Sequence, residues 1–351
     1  MIVHEPRRVH VIGAGLIGSS IGMGLCAAGW AVSLEDPDPE TVRLAHAIGA
    51  SNDDGATPPE IVIVAAPPAV SPRVVQEALT RWPHAVVTDV ASVKVPIAQA
   101  VDPEHAARYV GSHPMSGREV SGAIAAQGDL FKARPWVVCP GAGSDSAVEL
   151  VCEVARALQG DIVTMDAEAH DAAVARVSHA PQIVASAVAA ALGTLERDDV
   201  ALAGQGLRDV TRIAASEPGM WADIARLNSH ALVRTLDHII RDLEDVREAD
   251  DIGEAVTDLI ARGRLEVQRI PGKHGGPTRD WVPVTVIVPD EPGQLLALLQ
   301  DAAAAGANVE DITIEHSPRQ PVGLTTLHVL PESAPALLQA LTDHHWEIAS
   351  S

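Results

Sequence analysis

Between residue 8 and about residue 165, short β-branched apolar runs alternate with stretches of helical spacing. The runs read RVHVIG, AVSLED, EIVIVAAP, AVVTDV, RYVGSH, PWVVCPG and DIVTMD. Strands separated in this way by helices predict a parallel sheet covered by helices on both faces. From Glu168 the pattern changes. AEAHDAAVARVSHAPQIVASAVAAALGTL is apolar nearly all round, which predicts a helix buried on every side. In the run that follows, Trp221, Ile224, Leu227, Leu232, Leu236, Ile239, Leu243 and Val246 recur at helical spacing. A further helix is expected over Ile252 to Arg262, and helices this apolar predict a subunit interface. IPGKHGGPTRDW, 270–281, is rich in Gly and Pro and reads as a linker. Beyond it the order strand, helix, strand, strand, helix, strand over about seventy residues predicts a small ferredoxin-like module. The expected fold class is therefore α/β: a parallel-sheet domain covered by helices over 1–166, an all-α domain over 167–268, a linker over 269–281 and a ferredoxin-like βαββαβ domain over 282–351.

Composition narrows the partners. A formal charge of -22 argues against nucleic acid and against anionic membrane surfaces. No apolar run reaches the roughly 20 residues that a membrane helix needs. The N-terminus runs directly into a strand without a signal-peptide layout. Cys26, Cys139 and Cys152 lie in apolar surroundings with no paired spacing, as expected of a reducing compartment. The expectation is a cytoplasmic protein. No histidine has the companion ligands at the spacing that a metal site demands.

Four motifs carry candidate chemistry. In VIGAGLIGSSIG, Gly13, Gly15 and Gly18 form GxGxxG between a strand and a helix. The first glycine permits a tight turn, the second lets a pyrophosphate approach the backbone, and the third allows close helix packing. Asp36 follows Gly18 by eighteen residues, where a carboxylate grips an adenosine ribose. PDPE comes after it, with no arginine before Arg43, so NAD is expected rather than its phosphorylated form. Leu16, Ile17 and Ala66 complete the expected cofactor contacts, together with Ser92. TDVASVK, 88–94, follows the fourth strand, and in an open α/β sheet ligands collect beyond the carboxyl ends of the strands. Ser92 and Lys94 either face that crevice or, in the case of Ser92, cap the next helix. GSHPMSGREVSG, 111–122, opens on the same crevice and carries His113, a candidate proton acceptor. In SHAPQ and GLRDVTRIA, Arg212 is either a clamp for a carboxylate or an ordinary partner of Asp209.

Taken together, GAGLIGSS, DVASVK, GSHPMSGREVSG, SHAPQ and LRDVTRIAASEPGMW resemble the prephenate/arogenate dehydrogenase family, over roughly residues 8 to 265. The resemblance implies oxidation of a cyclohexadienyl alcohol by NAD, with loss of the ring carboxylate as CO2. It implies that His113 takes the hydroxyl proton and that Ser92 hydrogen-bonds and orients it. Arg212 resembles the clamp on the ring carboxylate. Glu119, Ser116, His179 and Gln182 fall at substrate-facing positions of the motifs, with Asp209 and Trp221 in support. Many prephenate-using relatives have a second histidine where this chain has Gln182. A neutral amide there leaves arogenate open beside prephenate, the leading expectation. The C-terminal module, with VIVPDEPGQLLALLQDAAAAGANVEDITIEH, resembles an ACT domain. This implies paired modules and a tyrosine effector near Asp290, Gly293 and Asn308; a purely structural pairing role is the alternative. Two rival readings are weighed against these. A β-hydroxyacid-type dehydrogenase resembles others of its kind in using a lysine on the helical domain, and residues 166–262 contain none. A non-catalytic NAD and amino-acid sensor would not need Ser92, His113 and Arg212 to converge.

Overall fold

The computed structural model describes residues 6–117, 122–270, 281–316 and 321–349. The chain forms two compact units, 1–245 and 246–351. The first opens with β1 (Arg8–Ile12), α1 (Leu16–Ala27), β2 (Ala31–Glu35), α2 (Pro39–Ala47), β3 (Ile61–Val64), α3 (Ser71–Arg81), β4 (Val86–Asp89) and α4 (Val95–Gln99). The strands pair in parallel in the order β2-β1-β3-β4. The uninterrupted IVIV of β3 is explained by burial on both faces. Ile61 and Ile63 join a core with Val9, Val11, Ile21 and Leu25. Val62 and Val64 join a second core with Val75, Leu79 and Val87.

The Val110 N–H bonds the Val87 carbonyl at 3.1 Å and carries the edge of β4 on to β5 (Gly111–Pro114). Then come β6 (Pro135–Cys139), α5 (Asp145–Ala157) and β7 (Asp161–Thr164). Here the expectation of a wholly parallel sheet is corrected: β6 runs antiparallel to β5, while β7 is parallel to β6. No crossover helix lies among the described residues between β5 and β6, so the chain simply reverses.

The helical part begins with α6 (Ala167–Val174), a π turn (Ala175–His179) and α7 (Ala180–Ala191). Pro181 has no N–H to donate to the preceding turn, which accounts for the widening there. Next come α8 (Arg197–Val200), α9 (Gln205–Thr211), a 3-10 turn (Arg212–Ala215), α10 (Pro218–Leu227) and α11 (Ser229–Glu248). In a single chain this part is not covered on every side: Val177 is 69% exposed and Val188 37% exposed. Within one chain, the neighbours of α6 and α7 cover one flank only. The long periodic run breaks at Asn228, whose buried side chain is needed elsewhere.

The second unit holds α12 (Ile252–Val267), longer than expected, then β8 (Val282–Pro289), α13 (Gln294–Ala304), β9 (Val309–His316), β10 (Val322–Val329), α14 (Ala334–Asp343) and β11 (Glu347–Ile348). The antiparallel sheet has the order β11-β8-β10-β9. Val284, Val286, Val288, Leu327 and Val329 pack on Leu298, Leu337 and Leu341 of the two helices, which gives the expected βαββαβ layer. The segment 271–280, within the expected linker, lies outside the described residues. No described helix is long and apolar enough to cross a membrane.

Candidate active site

The glycine turn has the geometry of a phosphate cradle. Gly13 adopts φ +102°, and a Cβ there would meet the Ala65 carbonyl oxygen at 2.5 Å, just before Ala66. A Cβ on Gly18 would lie 1.8 Å from the Gly13 oxygen, so α1 can approach the turn only without one. Gly15 faces open space, leaving room for a ligand. Leu16 opens α1, while Ile17 packs into the core. Asp36 accepts from the Ala14 N–H (2.9 Å) and the Asp38 N–H (2.9 Å), tying the tip of β2 to the cradle. A cleft of about 470 Å³ opens beside it, lined by Ile12, Glu35, Asp36, Arg73, Arg81 and Trp82. Two arginines thus reach this cleft from α3, which the local sequence after Asp36 did not disclose. Each already has a carboxylate partner: Arg81 bonds Glu35 at 2.9 Å and lies over Trp82, and Arg73 pairs with Glu77. With Asp36 added, carboxylates outnumber guanidinium groups, which suits a ribose hydroxyl better than a phosphate. Turn, open space and cleft together fit a dinucleotide.

His113 lies on β5 opposite Val137, half-buried. Its Nδ1 meets His170 Nε2 at 2.9 Å, and His170 Nδ1 meets Asp171 Oδ1 at 2.8 Å. Burial pushes the His113 imidazole well below its ordinary pKa, and the positive charge of Lys94 acts in the same direction. The ring is therefore neutral and able to accept a proton at neutral pH. The expected partnership with Ser92 is corrected. The Ser92 hydroxyl is buried without a hydrogen-bond partner, and it caps nothing, since α4 has Lys94 at its N-cap. Lys94 does not face the crevice either. It is 1% exposed, with its ammonium on the Asp89 carboxylate and the Ser112 carbonyl. The Tyr109 hydroxyl donates to the other Asp89 oxygen at 2.7 Å, completing a satisfied buried pair.

His179 ends the π turn, with its Nδ1 3.2 Å from the Asn228 side-chain nitrogen. Asn228 also donates to the Asp171 carbonyl (2.8 Å). Burial lowers the His179 pKa to about 4. Its Nε2, like Trp221 Nε1, is buried without a partner, and the two rings meet edge-on at 6.1 Å. Gln182, 5% exposed, donates to the Ile213 carbonyl (2.9 Å), and its oxygen accepts from Ser216 (3.4 Å). The amide therefore clamps the turn that starts at Arg212. Arg212 itself is exposed, and the Asp209 carboxylate accepts from Gln205 on α9. The Ser116 hydroxyl donates to the Leu130 carbonyl at 2.7 Å, a tie within its own loop. Glu119 lies outside the described residues. Sequence reasoning missed His170 and Asp171; a histidine and an aspartate adjacent on one apolar helix were the available signal. In the C-terminal module, Asp290 and Gly293 follow β8, whereas Asn308 precedes β9 at the opposite end of the sheet. Among the described residues no cluster of three His, Cys, Asp or Glu side chains is arranged for a metal ion.

Residues 24–164 match the family model described as prephenate dehydrogenase, nucleotide-binding domain. Residues 166–256 match the prephenate dehydrogenase dimerization domain. The chain is 34% identical to a protein of Streptomyces niveus named as a probable prephenate dehydrogenase, over 97% of this chain and 99% of that one. It is 29% identical to the cyclohexadienyl dehydrogenase of Zymomonas mobilis, over 69% of this chain and 88% of the relative. Among solved structures it is similar to prephenate dehydrogenase from A. aeolicus in complex with hydroxyphenyl propionate and NAD+. That likeness has a TM-score of 0.66 and 25% identity, over 76% of this chain and 99% of the other.

Proposed function

The chain belongs to the prephenate dehydrogenase family, and from that premise we propose that it oxidises prephenate to 4-hydroxyphenylpyruvate and CO2 with reduction of NAD, a step towards tyrosine. The observation that carries the reading is a histidine held neutral on β5, in a unit whose Ser92 hydroxyl, His179 Nε2 and Trp221 Nε1 are buried without partners. Unsatisfied buried donors are costly and call for a polar ligand.

We assign the cradle of Gly13, Gly15, Leu16, Ile17, Gly18 and Ala66, with Asp36 at the ribose, to NAD. When bound, NAD supplies the acceptor for the hydride leaving the hydroxyl-bearing ring carbon. His113 takes the hydroxyl proton as the ring carbonyl forms. The ring carboxylate then leaves as CO2, its bonding pair completes the aromatic ring, and the resulting phenolate oxygen takes the proton back from His113. Arg212 holds a substrate carboxylate, and Gln182 keeps the Arg212 turn in place. Glu119 is assigned to shaping access to the site, and Ser116 to binding substrate. Aromatisation provides the driving force, so the protein chiefly aligns the substrate and takes up one proton.

A second reading, use of arogenate or of both substrates, is favoured by Gln182, an amide that stays uncharged and would not repel an ammonium group. NADH absorbance recorded with each substrate separates the two, and no NADH with either would overturn the whole assignment.

We further take 1–166 as the dinucleotide domain, 167–268 as the dimerisation and substrate domain, 269–281 as a linker and 282–351 as an ACT domain. A cytoplasmic location is supported by three free cysteines. We put the tyrosine effector between two modules. Asp290 and Gly293 are separated from Asn308 by the length of a strand, over about 20 Å, so only a second copy can bring the two ends together. Calorimetry of the full chain with tyrosine should give heat that Asn308→Ala abolishes.

A further inference from the structure

The hydrogen bonds behind His113 have a direction, and it determines which nitrogen of the ring is basic. Asp171 is 4% exposed and His170 fully buried. Asp171 Oδ1 accepts from the Lys94 N–H (2.8 Å), and Oδ2 accepts from the Val95 N–H (2.9 Å). Both carboxylate oxygens are thus engaged as acceptors of backbone N–H groups. The contact between Asp171 Oδ1 and His170 Nδ1 at 2.8 Å therefore requires the proton on His170 Nδ1. With a single ring proton, His170 keeps its lone pair on Nε2, which then accepts. The contact between His170 Nε2 and His113 Nδ1 at 2.9 Å in turn requires the proton on His113 Nδ1. The lone pair of neutral His113 is left on Nε2, the nitrogen that faces away from His170.

We propose that Asp171 and His170 are positioning residues that fix the tautomer and orientation of His113, so that Nε2 is its basic atom. This rests on the reading of His113 as the base, and deepens it. The rings meet at 74° with centroids 5.1 Å apart, a geometry in which Nδ1 of one ring addresses the edge of the other. When Nε2 receives the substrate proton, the imidazolium keeps its Nδ1–H on His170. The Asp171 carboxylate stabilises the new charge through that ring. Asp171 also ties the start of α4 to α6, and its own carbonyl accepts from Asn228. The relay is thereby anchored at both the sheet and the helical part.

The test is Asp171→Asn. With its oxygen at the Oδ2 position the new amide keeps the Val95 N–H, gives up the Lys94 N–H and offers its NH2 to His170. That reverses the chain: His170 then donates from Nε2, His113 accepts at Nδ1, and the His113 proton moves to Nε2. Nitrogen-15 NMR of histidine-labelled, cofactor-free protein reads this directly, with the His113 signals identified by their loss in His113→Asn. The wild type should show His113 protonated at Nδ1, and Asp171→Asn should show it protonated at Nε2. Turnover should fall roughly 10²–10⁴-fold, as for a histidine base held in the wrong tautomer, with KM changed less than about threefold. If Asp171→Asn does not fold, His170→Phe removes the acceptor and should leave His113 as a mixture of tautomers. A wild-type His113 protonated at Nε2, or an unchanged tautomer in either variant, would overturn the relay. An Nδ1 tautomer in a protein that makes no NADH from prephenate or arogenate would instead keep the relay and overturn the proposed function.

Discussion

A histidine takes up a proton at neutral pH only if its ring is uncharged, and burial of His113 secures that. The consequence is a direction in the pH profile. A base with a depressed pKa stays competent as the pH falls through 6.5, so kcat/KM should remain flat there and decline only at lower pH. A decline centred at or above 6.5 would contradict the environment described. Removing the ring altogether, in His113→Ala, should lower turnover roughly 10²–10⁴-fold in the same assay. His179 has a different consequence, because its effect is on folding. Its pKa falls from 6.5 to about 4 on folding, so the unfolded chain binds the proton more readily. Stability is therefore fully present above pH 6.5 and drains away as the pH falls towards 4, by up to about 3 kcal/mol. Urea titrations across that window should show the midpoint falling with pH in the wild type. His179→Asn, which cannot be charged, should show a shallower fall.

The elements around the cofactor cradle divide folding from binding at neighbouring glycines. A Cβ on Gly18 would meet the Gly13 oxygen at 1.8 Å, and α1 would have to retreat from β1. Gly18→Ala should therefore cost about 1–3 kcal/mol in thermal unfolding and weaken NAD as well. Gly15 meets nothing within 4 Å, so Gly15→Ala should leave the melting temperature in place while NAD affinity falls. Equal losses of stability in the two variants would remove the distinction. The cradle, the order of elements and the βαββαβ module were legible because each rests on short-range pattern: glycine spacing, β-branched runs, helical periodicity. The reversal at β6 was not, because strand direction depends on what joins β5 to β6 and not on either strand's residues. The relay was hidden for a related reason. His113, His170 and the backbone of Lys94 come from separate segments, and only tertiary packing shows that they share one hydrogen-bond chain. The burial of Lys94 was not legible either, because its pairing with Asp89 and Tyr109 is a tertiary contact that the local pattern does not announce.

On the scale of the whole molecule, apolar attraction and charge repulsion oppose each other. Along α11, Val233, Ile240 and Leu243 are 54%, 48% and 58% exposed, at spacings that put them along one side of the helix. A stripe of this kind, on a chain whose residues 166–256 match a dimerisation domain, is best covered by a second copy. Each copy carries a formal charge of -22, so association must overcome long-range repulsion that salt screens over about 8–10 Å. Burial of the stripe, by contrast, is not weakened by moderate salt. Light scattering should therefore give about twice the 36.7 kDa of the chain, with a dissociation constant that falls as ionic strength rises. Ile240→Glu puts a further negative charge into the stripe and should shift the mass towards a single chain, most clearly at low salt. A wild type that is monomeric at micromolar concentration, or a dimer that salt dissociates, would show that some other surface or force governs assembly.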